Sequence, residues 1–147
     1  MRVLVQRSLE SSVLVDNKIV GKIESGLVLL VGFTYGDSKK EIDYMVDKVI
    51  NLRIFDDENG VMNKSLMDVK GSILSISQFT LYANCKKGNR PSFIEAEDPK
   101  TAEELYEYVI SECRKMVPVV ETGSFGADMK VSLVNDGPFT ILLENEP

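Results

Sequence analysis

The sequence contains no histidine, and this absence excludes several kinds of active site. It rules out hydrolases that pair a serine or cysteine with a histidine base, and metal sites built mainly from imidazole ligands. Cysteine is also scarce. The only two, Cys85 and Cys113, are not spaced as a metal-binding or redox motif. Reduced, unpaired thiols are typical of cytoplasmic proteins, so we expect a cytoplasmic location.

Positive charge and long apolar runs are scarce as well. The chain has 17 lysines and arginines against 23 acids, and its net charge of -6 argues against sequence-independent binding of nucleic acid. A local basic patch remains compatible with this balance. The longest apolar run, residues 27–31, is far too short to span a membrane, and the first residues do not resemble a signal peptide.

The 147 residues are enough for one domain, and most of the patterned segments are strand-like. Residues 27–31 have no polar face, which predicts a central strand covered on both sides. A strand–turn–strand pattern precedes it, with Asp16-Asn17 at the turn. We therefore predict a mixed α/β fold, with a mostly antiparallel, barrel-like sheet and two helices packed on it.

Both helices have clear start signals. Ser38 and Glu41 form a capping box that predicts a helix to about Leu52. Asp98 and Pro99 are typical of the cap and first position of a second helix, which ends before residue 118. The apolar stripe predicted to be buried in this second helix is Ala102, Leu105, Tyr106, Val109, Cys113 and Met116.

Two stretches carry polar groups where chemistry can occur. Residues 71–82 are predicted to form one strand whose faces both mix small polar and large apolar side chains. Those polar groups either find partners in a core or line a site, and both interpretations stay open. Residues 135–140 separate two strand-like runs, and their Asp-Gly pair is typical of a hairpin. A proline follows at once and has no N–H for a strand ladder, so we interpret this segment as a functional loop.

The chemistry of these stretches points to backbone groups. The hydroxyls of Ser77 and Thr80 are weak nucleophiles without a neighbouring base. Gly137 lets another molecule approach its main chain closely. A third stretch, residues 84–93, is a basic loop and the most basic part of the chain, with Lys86, Lys87, Arg90 and no acid. It is either a solvated loop or one that contacts phosphate.

Residues 77–81 (Ser-Gln-Phe-Thr-Leu) and 135–140 (Asn-Asp-Gly-Pro-Phe-Thr) together resemble the two signature motifs of D-aminoacyl-tRNA deacylases. The resemblance covers the whole chain, including residues 1–7, 88–93 and 125–129. It implies one deacylase domain over residues 1–147 that hydrolyses the ester joining a D-amino acid to tRNA, without a metal cofactor. It also implies a homodimer of barrel-like subunits, in which a cis Gly137-Pro138 bond reaches into the partner's site.

The resemblance further implies how substrate is chosen and cleaved. The Gly137-Pro138 backbone would fill the space that an L side chain needs, so L-aminoacyl-tRNA is rejected and glycyl-tRNA admitted. Backbone N–H groups near Phe79 and Thr80 would form an oxyanion hole, with water activated by the ribose 2′-hydroxyl. Thr80 as a covalent nucleophile is the alternative, and Gln78 is expected to orient the ribose or the ester.

The other residues implied to serve the site are Ser77 in the first motif, Arg7 and Asn135 at the loop, and Phe125 and Met129 at the adenine. For Phe125 and Met129 a core position is equally open, and the bracing role of Arg7 is likewise an expectation. Two further functions stay open. One is a non-catalytic RNA-binding module that uses the basic loop, and the other is a β-domain that binds a small molecule.

Overall fold

The computed structural model describes residues 1–146, which fold as a mixed α/β structure. The elements in chain order are β1 (Arg2–Val15), β2 (Lys18–Ile23), β3 (Gly26–Gly32), α1 (Lys39–Asn51), β4 (Phe55–Asp56), β5 (Met62–Lys64), β6 (Ser72–Ser77), a 3₁₀ turn (Phe79–Tyr82), α2 (Pro99–Met116), β7 (Val120–Thr122) and β8 (Lys130–Glu144). Within this range, neither helix is long and apolar enough to cross a membrane.

The sheet is organised around the long strand β1. Its order is β2-β1-β3-β6-β7. β1 pairs with β3 through residues 2–8 and with β2 through residues 11–15, and β8 pairs with β1 through residues 2–14. β1 pairs antiparallel with β2, β3 and β8, whereas β3–β6 and β6–β7 are parallel. β2 returns against β6 and β7, so the sheet curls into a nearly closed barrel. The predicted class, a barrel-like and mostly antiparallel sheet with two helices, is confirmed.

The strand β3 is buried on both faces, as its unbroken apolar run predicts. Leu27, Leu29 and Val31 belong to the large core between the sheet and the helices. Val28 belongs to a smaller core inside the barrel. The two cores hold the carboxyl end of β3 in a fixed position beside the end of β6.

The helix starts follow from their predicted caps. The Ser38 side chain accepts from the N–H of Lys40, and the Ser38 N–H donates to Glu41 Oε2 at 2.8 Å. The Ser38 hydroxyl also donates to this carboxylate, which lowers the pKa of Glu41. Asp98 caps α2 by accepting from the N–H groups of Lys100 and Thr101.

The buried stripe of α2 is only partly as predicted. Ala102, Tyr106, Val109 and Cys113 are buried, and Leu105 is half-buried. Ile110 is buried without having been predicted. The prediction for Met116 is wrong, because its side chain lies in the open groove between the two helices. Burial raises the pKa of the Cys113 thiol to about 11, as expected for a core residue.

The strand predicted over residues 71–82 is wrong beyond Ser77. Its parallel pairing with β3 ends at Val31 and Ser77, and the Gln78 N–H donates to the Val31 carbonyl at 2.7 Å. β3 itself ends one residue later, so no neighbouring strand continues the ladder and the chain enters the 3₁₀ turn. Inside β6, the polar Ser75 is buried, and its Oγ lies 3.2 Å from the Tyr106 hydroxyl, which also donates to the Ser75 carbonyl at 2.8 Å.

The two runs around residues 135–140 do not form a hairpin. They belong to one strand, β8, which pairs with β1 on both sides of the segment. Between the pairs Gln6–Thr140 and Ser8–Asn135, β1 contributes only Arg7, whereas β8 contributes residues 136–139. The additional residues leave the ladder as a bulge. The segment therefore does interrupt regular pairing, but within one strand.

Gly26 makes the closest backbone approach in the sheet, and its substitution should be costly. Its φ is +140°, and a Cβ there would overlap the carbonyl oxygen of Ser72. We expect Gly26→Ala to lower the free energy of unfolding by about 3 kcal/mol or more, since backbone strain and steric overlap combine. Denaturant titration measures this.

Gly60→Ala is the matched control for Gly26→Ala. Gly60 also has a positive φ, +74°, but a Cβ at this position would meet no atom within 4 Å, so only backbone strain is tested. We expect its cost to stay near ~1 kcal/mol. Equal losses in the two variants would show that contact with Ser72 does not restrict Gly26.

Candidate active site

A cavity of about 650 Å³ opens beside the end of β6 and the start of α2. The first motif contributes part of its wall through Ser77, Gln78 and Phe79. Phe125 and Met129, from the segment that precedes β8, contribute another part. The fold thus brings five of the predicted site residues, far apart in sequence, to one place.

The 3₁₀ turn gives this cavity a set of backbone donors at its rim. The Leu81 N–H donates to the Gln78 carbonyl, which closes the first bond of the turn. The first N–H groups of such a turn have no acceptor within it. Across residues 1–146, the N–H groups of Phe79 and Thr80 also have no acceptor outside the turn. They are therefore available to an oxygen atom of a ligand.

The turn is anchored from outside the cavity. Arg2 Nη1 donates to the Leu81 carbonyl at 2.8 Å, and its guanidinium lies over the Tyr82 ring. Tyr82 is buried, its hydroxyl donates to the Glu146 carboxylate, and burial raises its pKa. On the exposed side, Gln78 Nε2 donates to Thr80 Oγ1 at 2.6 Å. The side chain of Thr80 does not line the cavity.

Side chains of the second motif hold the bulge of β8 in shape. The Phe139 N–H donates to Asn135 Oδ1, and Asn135 Nδ2 donates to Thr140 Oγ1, both at 2.8 Å. The Gly137-Pro138 bond is cis, as the resemblance implies. Gly137 and Pro138 are exposed at the tip of the bulge.

Arg7 contacts the bulge in the way that the resemblance implies. Its Nε donates to the Asp136 carbonyl at 3.1 Å, and its Nη1 donates to the Ile54 carbonyl at 2.8 Å. Its guanidinium also lies over the Phe139 ring, 5.4 Å from the centroid. Since the side chain is only 12% exposed, it ties the bulge to the chain that follows α1.

The bulge and the cavity are separate features of the described chain. Of the predicted site residues, Arg7, Asn135, Gly137 and Pro138 do not line the cavity. Thr80 lies at the rim turn without contributing to the wall. Residues 1–146 of one copy therefore do not bring the two motifs into one site.

Several residues of the cavity were not predicted from the sequence. Phe93 lines it and packs edge-on against Phe79, with ring centroids 5.1 Å apart. Tyr35 and Glu97 also line it, as does Asp98, which the sequence identifies only as a helix cap. These contacts join distant segments, and no local pattern indicates them.

Comparisons with known proteins agree over the full length of the chain. The model of the family described as D-Tyr-tRNA(Tyr) deacylase matches residues 4–144. A D-aminoacyl-tRNA deacylase of Bacillus cytotoxicus is 57% identical over 146 residues, covering 99% of this chain and 100% of that protein. The protein of the same name from Bacillus mycoides is 56% identical with the same coverage.

Solved structures give the same fold. One titled c-Myc DNA Unwinding Element Binding Protein is 40% identical, covers 100% of both chains and superimposes with a TM-score of 0.95. A probable eukaryotic D-amino acid tRNA deacylase is 19% identical, covers 97% of both chains and has a TM-score of 0.84. At that identity, the second structure supports the fold alone.

Proposed function

The chain belongs to the D-Tyr-tRNA(Tyr) deacylase family, and we propose that it hydrolyses D-aminoacyl-tRNA to a free D-amino acid and tRNA. Residues 1–147 would act as one deacylase domain in the cytoplasm. The observation that carries this proposal is the 3₁₀ turn at the cavity rim, which offers unpaired N–H groups where the first motif lines the wall. Such groups suit an ester carbonyl that gains negative charge during hydrolysis.

The chemical step follows from these donors. A water oxygen bonds to the ester carbon, and the N–H groups of Phe79 and Thr80 stabilise the oxyanion that forms. The ribose 2′-hydroxyl relays the proton of the water, and the ribose ester oxygen leaves with a proton as the tRNA is released. Gln78, whose Nε2 is engaged by Thr80, keeps its carbonyl oxygen available to orient the ribose.

The adenine of the tRNA terminus is assigned to the wall formed by Phe125 and Met129. Phe125 packs against Tyr106 of the large core, and Met129 packs against the core inside the barrel. Each also lines the cavity, so a core position and a pocket role are compatible. Core contacts would hold both side chains in place for an apolar base face.

We assign the chirality filter to Gly137 and Pro138 acting in the cavity of a second copy. Their exposed position on a bulge braced by Arg7 and Asn135 supports this, as does their separation from their own cavity. β8 also exposes two apolar side chains, Val134 and Leu142, each to about half, and a homodimer would cover them. Backbone atoms would then exclude an L side chain while their carbonyls accept from the substrate ammonium.

The test of the proposed function compares D-tyrosyl-, L-tyrosyl- and glycyl-tRNA as substrates. We expect the D ester to be hydrolysed and the L ester to persist at the uncatalysed rate, because the filter works by exclusion. Glycyl-tRNA has no side chain to exclude and should be hydrolysed more slowly but measurably. Equal rates on the D and L esters would overturn the filter, and no activity on either would overturn the deacylase assignment.

A non-catalytic nucleic-acid-binding module is the second candidate. The observation that favours it is the 40% identity to a structure whose title names binding of a DNA unwinding element. Stable binding of deacylated tRNA without any ester loss would support this candidate. Turnover of D-tyrosyl-tRNA would exclude it as the sole function. A small-molecule β-domain would instead bind its ligand without competition from tRNA.

A further inference from the structure

The basic loop, residues 84–92, adjoins the cavity through the residue that follows it. Asn84 and Ser92 close it with two backbone hydrogen bonds, of 2.8 and 2.9 Å. The next residue, Phe93, lines the cavity. Asn84 Oδ1 also accepts from the Lys86 N–H inside the loop, at 3.0 Å. The loop is therefore fixed at its base beside the site, with its tip exposed.

The cations of this loop are not neutralised by the protein. Lys86, Lys87 and Arg90 are all exposed, and no acid lies between Asn84 and Phe93. Within residues 1–146, none of the three forms an ion pair, although six other basic side chains do. In a chain of net charge -6, this concentration of unpaired positive charge is suited to an anionic partner.

Two partly exposed aromatic rings line the cavity where the loop joins it. Phe79 is 54% exposed and Phe93 is 40% exposed, although they contact each other edge to edge. Exposed rings beside clustered cations are an arrangement that binds single-stranded nucleic acid, with bases on the rings and phosphates on the cations.

We propose that this loop and the Phe79–Phe93 pair bind the single-stranded 3′ end of the tRNA just before its terminal nucleotide. Lys86, Lys87 and Arg90 contact consecutive phosphates, and one base stacks on the exposed ring of Phe93. This inference rests on the proposed function and adds how an acidic protein holds a polyanionic substrate. It also gives the nucleotide chain a direction, because the terminal adenosine must continue past Phe93 into the cavity.

The test uses a triple variant, Lys86→Gln with Lys87→Gln and Arg90→Gln, at several salt concentrations. Its control, Lys18→Gln with Lys40→Gln and Lys48→Gln, changes the net charge equally at exposed positions elsewhere. For D-tyrosyl-tRNA, we expect the loop variant to raise KM at least about tenfold at about 50 mM NaCl. The slope of log KM against log salt should fall by about 2, since each phosphate contact on a single strand contributes about 0.7.

The stacking contact has its own variant. Phe93→Leu should weaken binding of deacylated tRNA about tenfold while the salt slope keeps its wild-type value, because an uncharged stacking contact is lost. A change in the slope, or unchanged affinity, would count against stacking at this ring.

Equal effects in the loop variant and its control would show that net charge alone matters, and this inference would then be wrong. If the wild type does not hydrolyse D-tyrosyl-tRNA, the proposed function fails instead. The dissociation constant for deacylated tRNA then tests the loop independently. There too we expect weakened binding and a reduced salt slope in the loop variant, but not in its control.

Discussion

Replacing Thr80 with proline is expected to lower kcat for D-tyrosyl-tRNA by about 10²–10³, the usual loss for one oxyanion-hole donor. Proline removes the backbone N–H that the mechanism assigns to the oxyanion. Its fixed φ of about -65° suits position 80 of a 3₁₀ turn, but proline disfavours the helical conformation of the preceding Phe79, so the loss includes any displacement of the Phe79 N–H. Single-turnover hydrolysis with enzyme in excess measures the chemical step without the contribution of tRNA release.

Thr80→Ala is the matched control, because alanine removes the hydroxyl but keeps the N–H. We expect its kcat to stay within about tenfold of the wild type, whereas loss of a covalent nucleophile would cost far more, about 10⁴ or greater. Large losses of kcat in both variants would support the alternative in which Thr80 is the covalent nucleophile. Full activity in both variants would show that the Thr80 N–H is not an oxyanion donor. Thermal unfolding of each variant checks that the turn anchored by Arg2 has survived.

Gly137→Ala should reduce kcat/KM for D-tyrosyl-tRNA at least about hundredfold, because a displacement of about 1 Å at a reacting centre has that effect. The φ of Gly137 is +134°, and a Cβ there would lie 3.1 Å from Arg7 Nη2 and from the Phe139 nitrogen. Because alanine is strained at this φ and the contacts with Arg7 and Phe139 are tight, the backbone of the bulge should shift. Gly60→Ala, with a positive φ and open surroundings, controls for backbone strain and should keep wild-type kinetics.

Mixing two inactive variants tests whether the bulge serves a second copy. Gly137→Ala keeps the cavity and Thr80→Pro keeps the bulge, so a mixed dimer has one complete site. With random assortment, half of the dimers are mixed and each has one of two sites, so we expect about a quarter of wild-type activity after co-refolding. If the mixture is no more active than its parts, the filter does not act across an interface.

The helices and the central strand could be predicted because their signals are local. Ser38 with Glu41, and Asp98 with Pro99, satisfy the first N–H groups of their helices from within a few residues. The apolar run of β3 similarly predicts burial on both faces, whichever strands become its neighbours.

The features that could not be predicted depend on strand pairing between segments that are far apart in the sequence. β6 ends at Ser77 because β3 ends beside it, and nothing within residues 71–82 indicates that limit. The bulge depends on Arg7 standing alone opposite residues 136–139, at the far end of the chain. The resemblance identifies the residues of both motifs, yet it is the folded chain that separates the cavity wall from the bulge.

The separation of bulge and cavity within one chain has a consequence for how the protein works at low abundance. In the proposed homodimer, no isolated copy holds a complete site, so only dimers are catalytically active. Specific activity should then fall on dilution below the dissociation constant of the dimer, where the number of working sites follows the square of the protein concentration. A cell with half as much protein would, in that range, keep less than half of its capacity.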